Sequence, residues 1–273
     1  MIKLPAILLG MAAALVPLSA VADVLEEIRE TSELRVGIRV DAAPFGFVDA
    51  NGDLAGYCLR FVNLLRQQVK QALNKDVLLV RLYRSSTANR FSLVDDRIAY
   101  LECGPNTIRN NLPDSVEFSE PFFVTGTQFL VRKEDRVDPS DNLAEQTIGV
   151  LQGTTTEALL ANLYPQADVR TFRGAAGRTR GVEALSRGQI DAFVSDGILL
   201  LGEVAQQNLS LSSYELTPPR PLTCDRYGMI LPANDPQWRN LVNATIESQR
   251  SQQILEDYFE DIAAVGETEE ACQ

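Results

Sequence analysis

Arginine and hydroxyl side chains recur in this sequence where short β-branched runs end. Arg39 and Asp41 close the run 34–40, and Pro44 and Phe45 follow. Thr87-Ala88-Asn89-Arg90 comes after 77–83, and Thr107-Ile108-Arg109 after 98–103. Gly153-Thr154-Thr155-Thr156 follows 147–151, Arg178 follows Gly174 and Gly177, and Asp196 follows 190–194. A guanidinium fork takes a carboxylate through two parallel hydrogen bonds. Hydroxyl-rich helix starts offer backbone N–H groups to the same anion. A lone Asp can take an ammonium. The set suits a small anionic or zwitterionic molecule. Asp196 also stands where it would cap a helix starting at Gly197, and Thr154 with Glu157 reads as a capping box.

Composition narrows the chemistry. The 273 residues contain no His, which excludes a Ser–His–Asp or Cys–His nucleophile, a His-ligated metal and a His pH switch. The formal net charge of −12 disfavours nucleic acid as a partner. Of 25 cations, only Lys3, Lys70, Lys75 and Lys133 are Lys; the rest are Arg. No cofactor or metal is expected. Residues 1–22 read as a signal peptide: Lys3, an apolar stretch, then Ala20-Val21-Ala22 at a small-x-small cleavage point. The mature chain is expected to be soluble and periplasmic. Cys58, Cys103, Cys224 and Cys272 contain no C-x-x-C. In an exported chain they allow three pairings, and either two bridges or one bridge with two buried thiols.

The elements that must hold these residues alternate. Strands are expected at 34–40, 77–83, 98–103, 147–151, 169–172, 190–194 and 227–231, and one long apolar run covers 122–131. The strand at 98–103 should stop at Gly104-Pro105. Helices are expected at 57–73, from Ser86/Thr87 to 94, at 138–144, 157–163, near 179–187, and at 197–206, 235–249 and 252–259. Alternation of this kind implies parallel α/β sheets. It occurs twice, so two lobes follow, with ligand bound outside the strands' carboxyl ends and between the lobes.

The chain also resembles the periplasmic solute-binding proteins of polar amino-acid ABC transporters, bacterial family 3. The resemblance spans about 34–259. It is carried in order by Leu34-Arg35-Val36-Gly37-Ile38-Arg39 with Pro44-Phe45-Gly46-Phe47, Gly56-Tyr57, Thr87-Ala88-Asn89-Arg90, Phe118-Ser119-Glu120-Pro121-Phe122-Phe123, Gln152-Gly153-Thr154-Thr155-Thr156-Glu157, Gly188-Gln189-Ile190-Asp191-Ala192-Phe193 with Asp196, and Tyr227-Gly228. Within the family it resembles the glutamate/aspartate binders, through Glu102-Cys103-Gly104, Arg39 two residues after Gly37, and Asn89-Arg90.

The resemblance implies an α/β, two-lobed type II periplasmic-binding-protein fold. One lobe would be 23–129 with 227–273 and the other 130–226. The function implied is capture of an amino acid, glutamate or aspartate favoured, by lobe closure and its delivery by a monomer to an inner-membrane permease. Arg39 and Arg90 would contact carboxylates, with Thr87, Thr107, Thr154 and Thr155 adding hydrogen bonds and Arg178 a further cation. Asp196 would accept the ammonium, and Phe45 would pack on the ligand's aliphatic part. Two departures stand out. Pro105 replaces a Ser, and Leu112 occupies the place of a carboxylate-clamping Arg, with Arg109 three residues earlier. Either Arg109 takes that work or Arg90 does it alone. The alternatives are a same-fold dehydratase, with Asp41, Asp196 or Glu102 as acid/base, and a freestanding sensor.

Overall fold

The computed structural model describes residues 23–135 and 137–259. The expected signal peptide and Cys272 lie outside them. The chain opens with helix α1 (Val24–Thr31), capped by the Asp23 side chain on the Leu25 amide. Strand β1 (Glu33–Arg39) follows, then a small sheet of β2 (Asp41–Ala42), β3 (Gly46–Val48) and β4 (Leu54–Ala55). Helix α2 (Tyr57–Leu73) matches its expected span, buries Phe61, Val62 and Leu65, and ends at Asn74 in the left-handed region. Next come β5 (Leu79–Ser85), α3 (Ser92–Asp95), β6 (Leu101–Thr107), β7 (Val116–Phe118) and β8 (Phe123–Thr125).

The second half contains β9 (Thr127–Arg132), β10 (Thr147–Leu151), α4 (Thr155–Leu163), β11 (Asp168–Phe172), α5 (Gly177–Ser186), β12 (Ala192–Asp196), α6 (Gly197–Gln206) and β13 (Tyr214–Thr217). Strand β14 (Asp225–Pro232) and helices α7 (Pro236–Glu247) and α8 (Gln249–Phe259) end the described chain. The first sheet runs β5-β1-β6-β14-β7, with β8 also on β14; the second runs β11-β10-β12-β9-β13. In each, three strands are parallel and the neighbours across β14 or β9 antiparallel. The molecule is two-lobed, each lobe built on one sheet. The chain passes between the sheets at β8–β9 and again at β13–β14. The first core gathers on Trp238, whose indole N–H donates to the Tyr100 carbonyl at 2.7 Å. The second sheet is covered on both faces, around Ile148 and Val150 and around Phe193 and Leu200.

Several expectations change. The run 122–131 is two strands in different sheets, broken at Gly126. A Cβ there would stand 1.9 Å from the Thr223 carbonyl oxygen, so only Gly lets the two crossings lie together. Strand β6 continues through Gly104-Pro105 to Thr107. Pro105 is tolerated because its pairing with β1 has ended at Cys103 and the register on β14 is irregular there. Residues 138–144 form turns and not a helix, since the Asp138 and Asn142 side chains take the amides of Ser140 and Ala144. The helix expected from Ser86/Thr87 is confined to 92–95. Strands β2–β4, β7 and β13 are too short for a period to register.

Cys58 and Cys103 form a disulfide that ties α2 to β6. Cys224 is also disulfide-bonded. No cysteine among the described residues is a free thiol, so the alternative of two buried thiols does not hold.

Candidate functional site

The strand ends converge between the lobes. Arg39 closes β1, Thr107 closes β6, and Ser195 and Asp196 close β12. Thr87 and Arg90 lie in the turn after β5, and Arg178 in the first turn of α5. Thr154 caps α4, accepting from the Glu157 amide at 3.2 Å, while the Glu157 carboxylate accepts from the Gly153 amide at 2.8 Å. The first amides of α4 have no partner within the helix, and its positive end borders the site. Arg39, Thr87, Arg90, Thr107, Thr154, Arg178, Ser195 and Asp196, with Pro105, Arg109, Thr155, Thr156 and Leu199, line one cavity.

Of the sequence candidates, Arg39, Thr87, Arg90, Thr107, Arg109, Thr154, Thr155, Arg178 and Asp196 all stand in this wall. Phe45 does not. It is fully buried in an aromatic cluster with Tyr57, Phe122, Phe123, Tyr227 and Phe259. Leu112 packs beside Val94, Val116 and Ile230, away from the wall. Arg109 stacks its guanidinium over Phe91, 4.8 Å from the ring centroid, beside Arg90 at 5.2 Å from the same ring. Ser195 and Leu199 were not among the sequence candidates, and Thr156 entered only as part of the run Gly153-Thr154-Thr155-Thr156. Ser195 sat in plain view, one residue before Asp196 at a strand end.

Four guanidinium groups and one carboxylate face the cavity. Arg39 and Arg178 are only 1% and 2% exposed, and Arg90 5%. Burying charge is costly unless each is paired. Arg39 Nε donates to Asp41 Oδ1 at 2.7 Å. Burial works against its charge, but Asp41 more than offsets this and raises the pKa above the ordinary Arg value. Arg178 donates to Ser195 Oγ at 2.5 Å and, across the lobes, to the Asp41 carbonyl at 3.3 Å. Arg90 donates to Asn106 Oδ1 and to the Gly153 carbonyl, each at 3.2 Å. Burial, then the like charge of Arg39, pulls its pKa down to about 10, so it stays charged at neutral pH.

The Asp196 carboxylate sits at the α6 N-cap position but makes no capping bond. One oxygen accepts from Tyr227 OH. Burial, then the nearby Asp225 charge, pushes its pKa up to about 6. Among the residues of the cavity wall, Arg39 Nη2, Arg90 Nε and Asp196 Oδ1 are buried with no hydrogen-bond partner. Each such orphan costs roughly 1–3 kcal/mol. Two donors and one acceptor on the wall of one cavity are complementary to a carboxylate and an ammonium.

The chain is 29% identical over 243 residues to the glutamate/aspartate import solute-binding protein of Escherichia coli, covering 88% of this chain and 80% of that protein. It is 29% identical over 200 residues to the L-glutamate/L-aspartate-binding protein of Pseudomonas aeruginosa, covering 71% of this chain and 66% of that one. Among solved structures, a mutant of the T. maritima ArgBP superposes with a TM-score of 0.73 at 22% identity, over 86% of this chain and 99% of its own. An ancestral amino acid-binding protein, a precursor of cyclohexadienyl dehydratase, gives 0.72 at 22% identity, over 88% and 99%. No helix among the described residues is long and apolar enough to cross a membrane. The profile of the bacterial extracellular solute-binding proteins, family 3, matches residues 34–261, and the chain belongs to that family.

Proposed function

We propose that this protein captures an acidic amino acid, glutamate or aspartate, in the periplasm and delivers it to an ABC permease. In this reading it acts as a monomer, with one lobe on each sheet and the crossings at Gly126 and between β13 and β14, a few residues before the expected 129/130 and 226/227. The observation that carries the reading is the set of buried, unpartnered atoms on a wall rich in guanidinium. Arg39 Nη2 and Arg90 Nε are free to donate, and Asp196 Oδ1 to accept. A ligand with two carboxylates needs more than one Arg, and its single ammonium needs one acid. Arg109 and Arg178 supply the second cationic pole, with Arg109 serving in place of the Arg that Leu112 replaces. The hydroxyls of Thr87, Thr107, Thr154 and Thr155, with the start of α4, add hydrogen bonds. The names of the E. coli and P. aeruginosa relatives point to the same ligands.

The test is a thermal shift of the mature protein against the twenty amino acids. A ligand at 100 times its Kd adds about 2.7 kcal/mol, or about 5–10 °C in Tm for a chain of this size. A shift with glutamate or aspartate supports the reading. A shift with arginine or glutamine alone overturns the acidic assignment, and no shift with any amino acid overturns the function.

A further inference from the structure

Behind the cavity wall lies a carboxylate that takes no part in lining it. Glu102 is fully buried on β6. Its Oε1 accepts from Ser85 Oγ at 2.5 Å and its Oε2 from Asn106 Nδ2 at 2.7 Å. Asn106 in turn accepts from Arg90 Nη1 through Oδ1 at 3.2 Å. One amide thus joins the buried acid to a cavity guanidinium. On the other side, a Cβ placed on Gly104 would stand 2.2 Å from Arg39 Cγ and 3.1 Å from Glu102 Oε1. The Arg39 stem and the Glu102 carboxylate therefore meet over the bare backbone of Gly104. Glu102 acts electrostatically on both Arg39 and Arg90, and no guanidinium bonds to it directly. An amide could satisfy the same two partners. A Gln could accept from Asn106 through its oxygen and donate to Ser85 Oγ, which is as able to accept as to donate.

We propose that Glu102 is a specificity-determining positioning residue: its negative charge, standing behind Arg39 and Arg90, limits how strongly the cavity favours an anionic ligand side chain over a neutral one. The proposal rests on the reading of the site as an acidic amino-acid receptor. Burial of Glu102 holds its pKa up, opposed first by Arg39 and then by Ser85 and Asn106. In the interior a unit charge acts over a long reach. At an effective dielectric near 20, two unit charges ~10 Å apart shift an equilibrium by roughly tenfold.

The test is the ratio of dissociation constants for L-glutamine and L-glutamate, measured by calorimetry on the wild-type protein, Glu102→Gln and Glu102→Asp. Loss of packing or of the Asn106–Arg90 alignment weakens both ligands in parallel and leaves the ratio unchanged. Loss of the charge alone moves it. In Glu102→Gln the ratio is expected to move about tenfold further toward glutamate. In Glu102→Asp, which keeps the charge, it is expected to stay within about threefold of wild type. An unchanged ratio in Glu102→Gln, or a tenfold shift in Glu102→Asp, overturns the proposal. If Glu102→Gln does not fold, Glu102→Ala removes the same charge and is read by the same ratio. If the wild-type protein binds neither ligand, the functional reading fails and the proposal falls with it; if it binds and only the ratios disagree, Glu102 alone is misassigned.

Discussion

At Asp196 a single carboxylate carries two demands that pH separates. It is buried at the seam of the lobes, with Tyr227 donating to it, Asp225 repelling it, and Arg178 and Arg90 attracting it. Its pKa is raised to about 6, and in the proposed reading a ligand ammonium must find it ionised. Glutamate binding is therefore expected to be about tenfold weaker at pH 5 than at pH 7.5, measured by calorimetry at constant ionic strength. Stability of the free protein runs the other way. The folded chain holds this proton more tightly than the unfolded chain. Its contribution is fully present below about pH 4 and is lost as pH rises through about 6. Asp196→Asn is expected to abolish the pH dependence of binding in this window and to weaken glutamate by at least tenfold. The sequence offered Asp196 and the arginines as candidates, but Asp41 and Asn106 show their importance only through the side chains they hold.

The disulfide between Cys58 and Cys103 acts at the scale of elements. It pins α2 to β6 and closes a loop across 45 residues of sequence separation. Successive side chains on a strand face opposite ways. Cys103 thus anchors the strand to the helical layer while Glu102, its neighbour, lies behind the cavity wall. Loop-closure entropy puts the bridge at about 4 kcal/mol. The double variant Cys58→Ser/Cys103→Ser is expected to melt about 8–16 °C lower by calorimetry without ligand. Elements such as α2, β10 and α6 were legible because α2 carries an apolar helical stripe and β10 and α6 are apolar runs that pack into the core. Residues 138–144 misled because a weak apolar pattern was outcompeted by local Asp and Asn turns. The break at Gly126 was hidden because both halves of the run are apolar strand.

Across the whole molecule, the closure proposed above would depend on contacts that the ligand does not make. Gln206 of α6 donates to the Val48 carbonyl of β3 at 2.9 Å, and the Thr107 and Thr155 hydroxyls meet at 3.4 Å. Arg178 and Arg90 each reach a carbonyl on the facing side. Gln206 stands outside the cavity wall. Gln206→Ala removes one neutral hydrogen bond worth about 1 kcal/mol, which lowers the population of the closed form. Glutamate affinity is expected to fall about two- to tenfold. Solution scattering should show a larger radius of gyration without ligand and an unchanged one at saturation.

By itself the sequence determined the alternation of strands and helices, the α/β class and the concentration of Arg and hydroxyls at strand ends. These are local properties, written in the period of apolar residues and in cap and turn chemistry. It also marked the family, through short motifs in a fixed order. Only the tertiary structure decided which side chains share a wall. It put Arg109 into the cavity and Leu112 into packing, moved Phe45 into the aromatic core, and set Glu102 behind two arginines. Those outcomes depend on strand register and on the approach of residues more than a hundred positions apart. No periodicity along the chain encodes them.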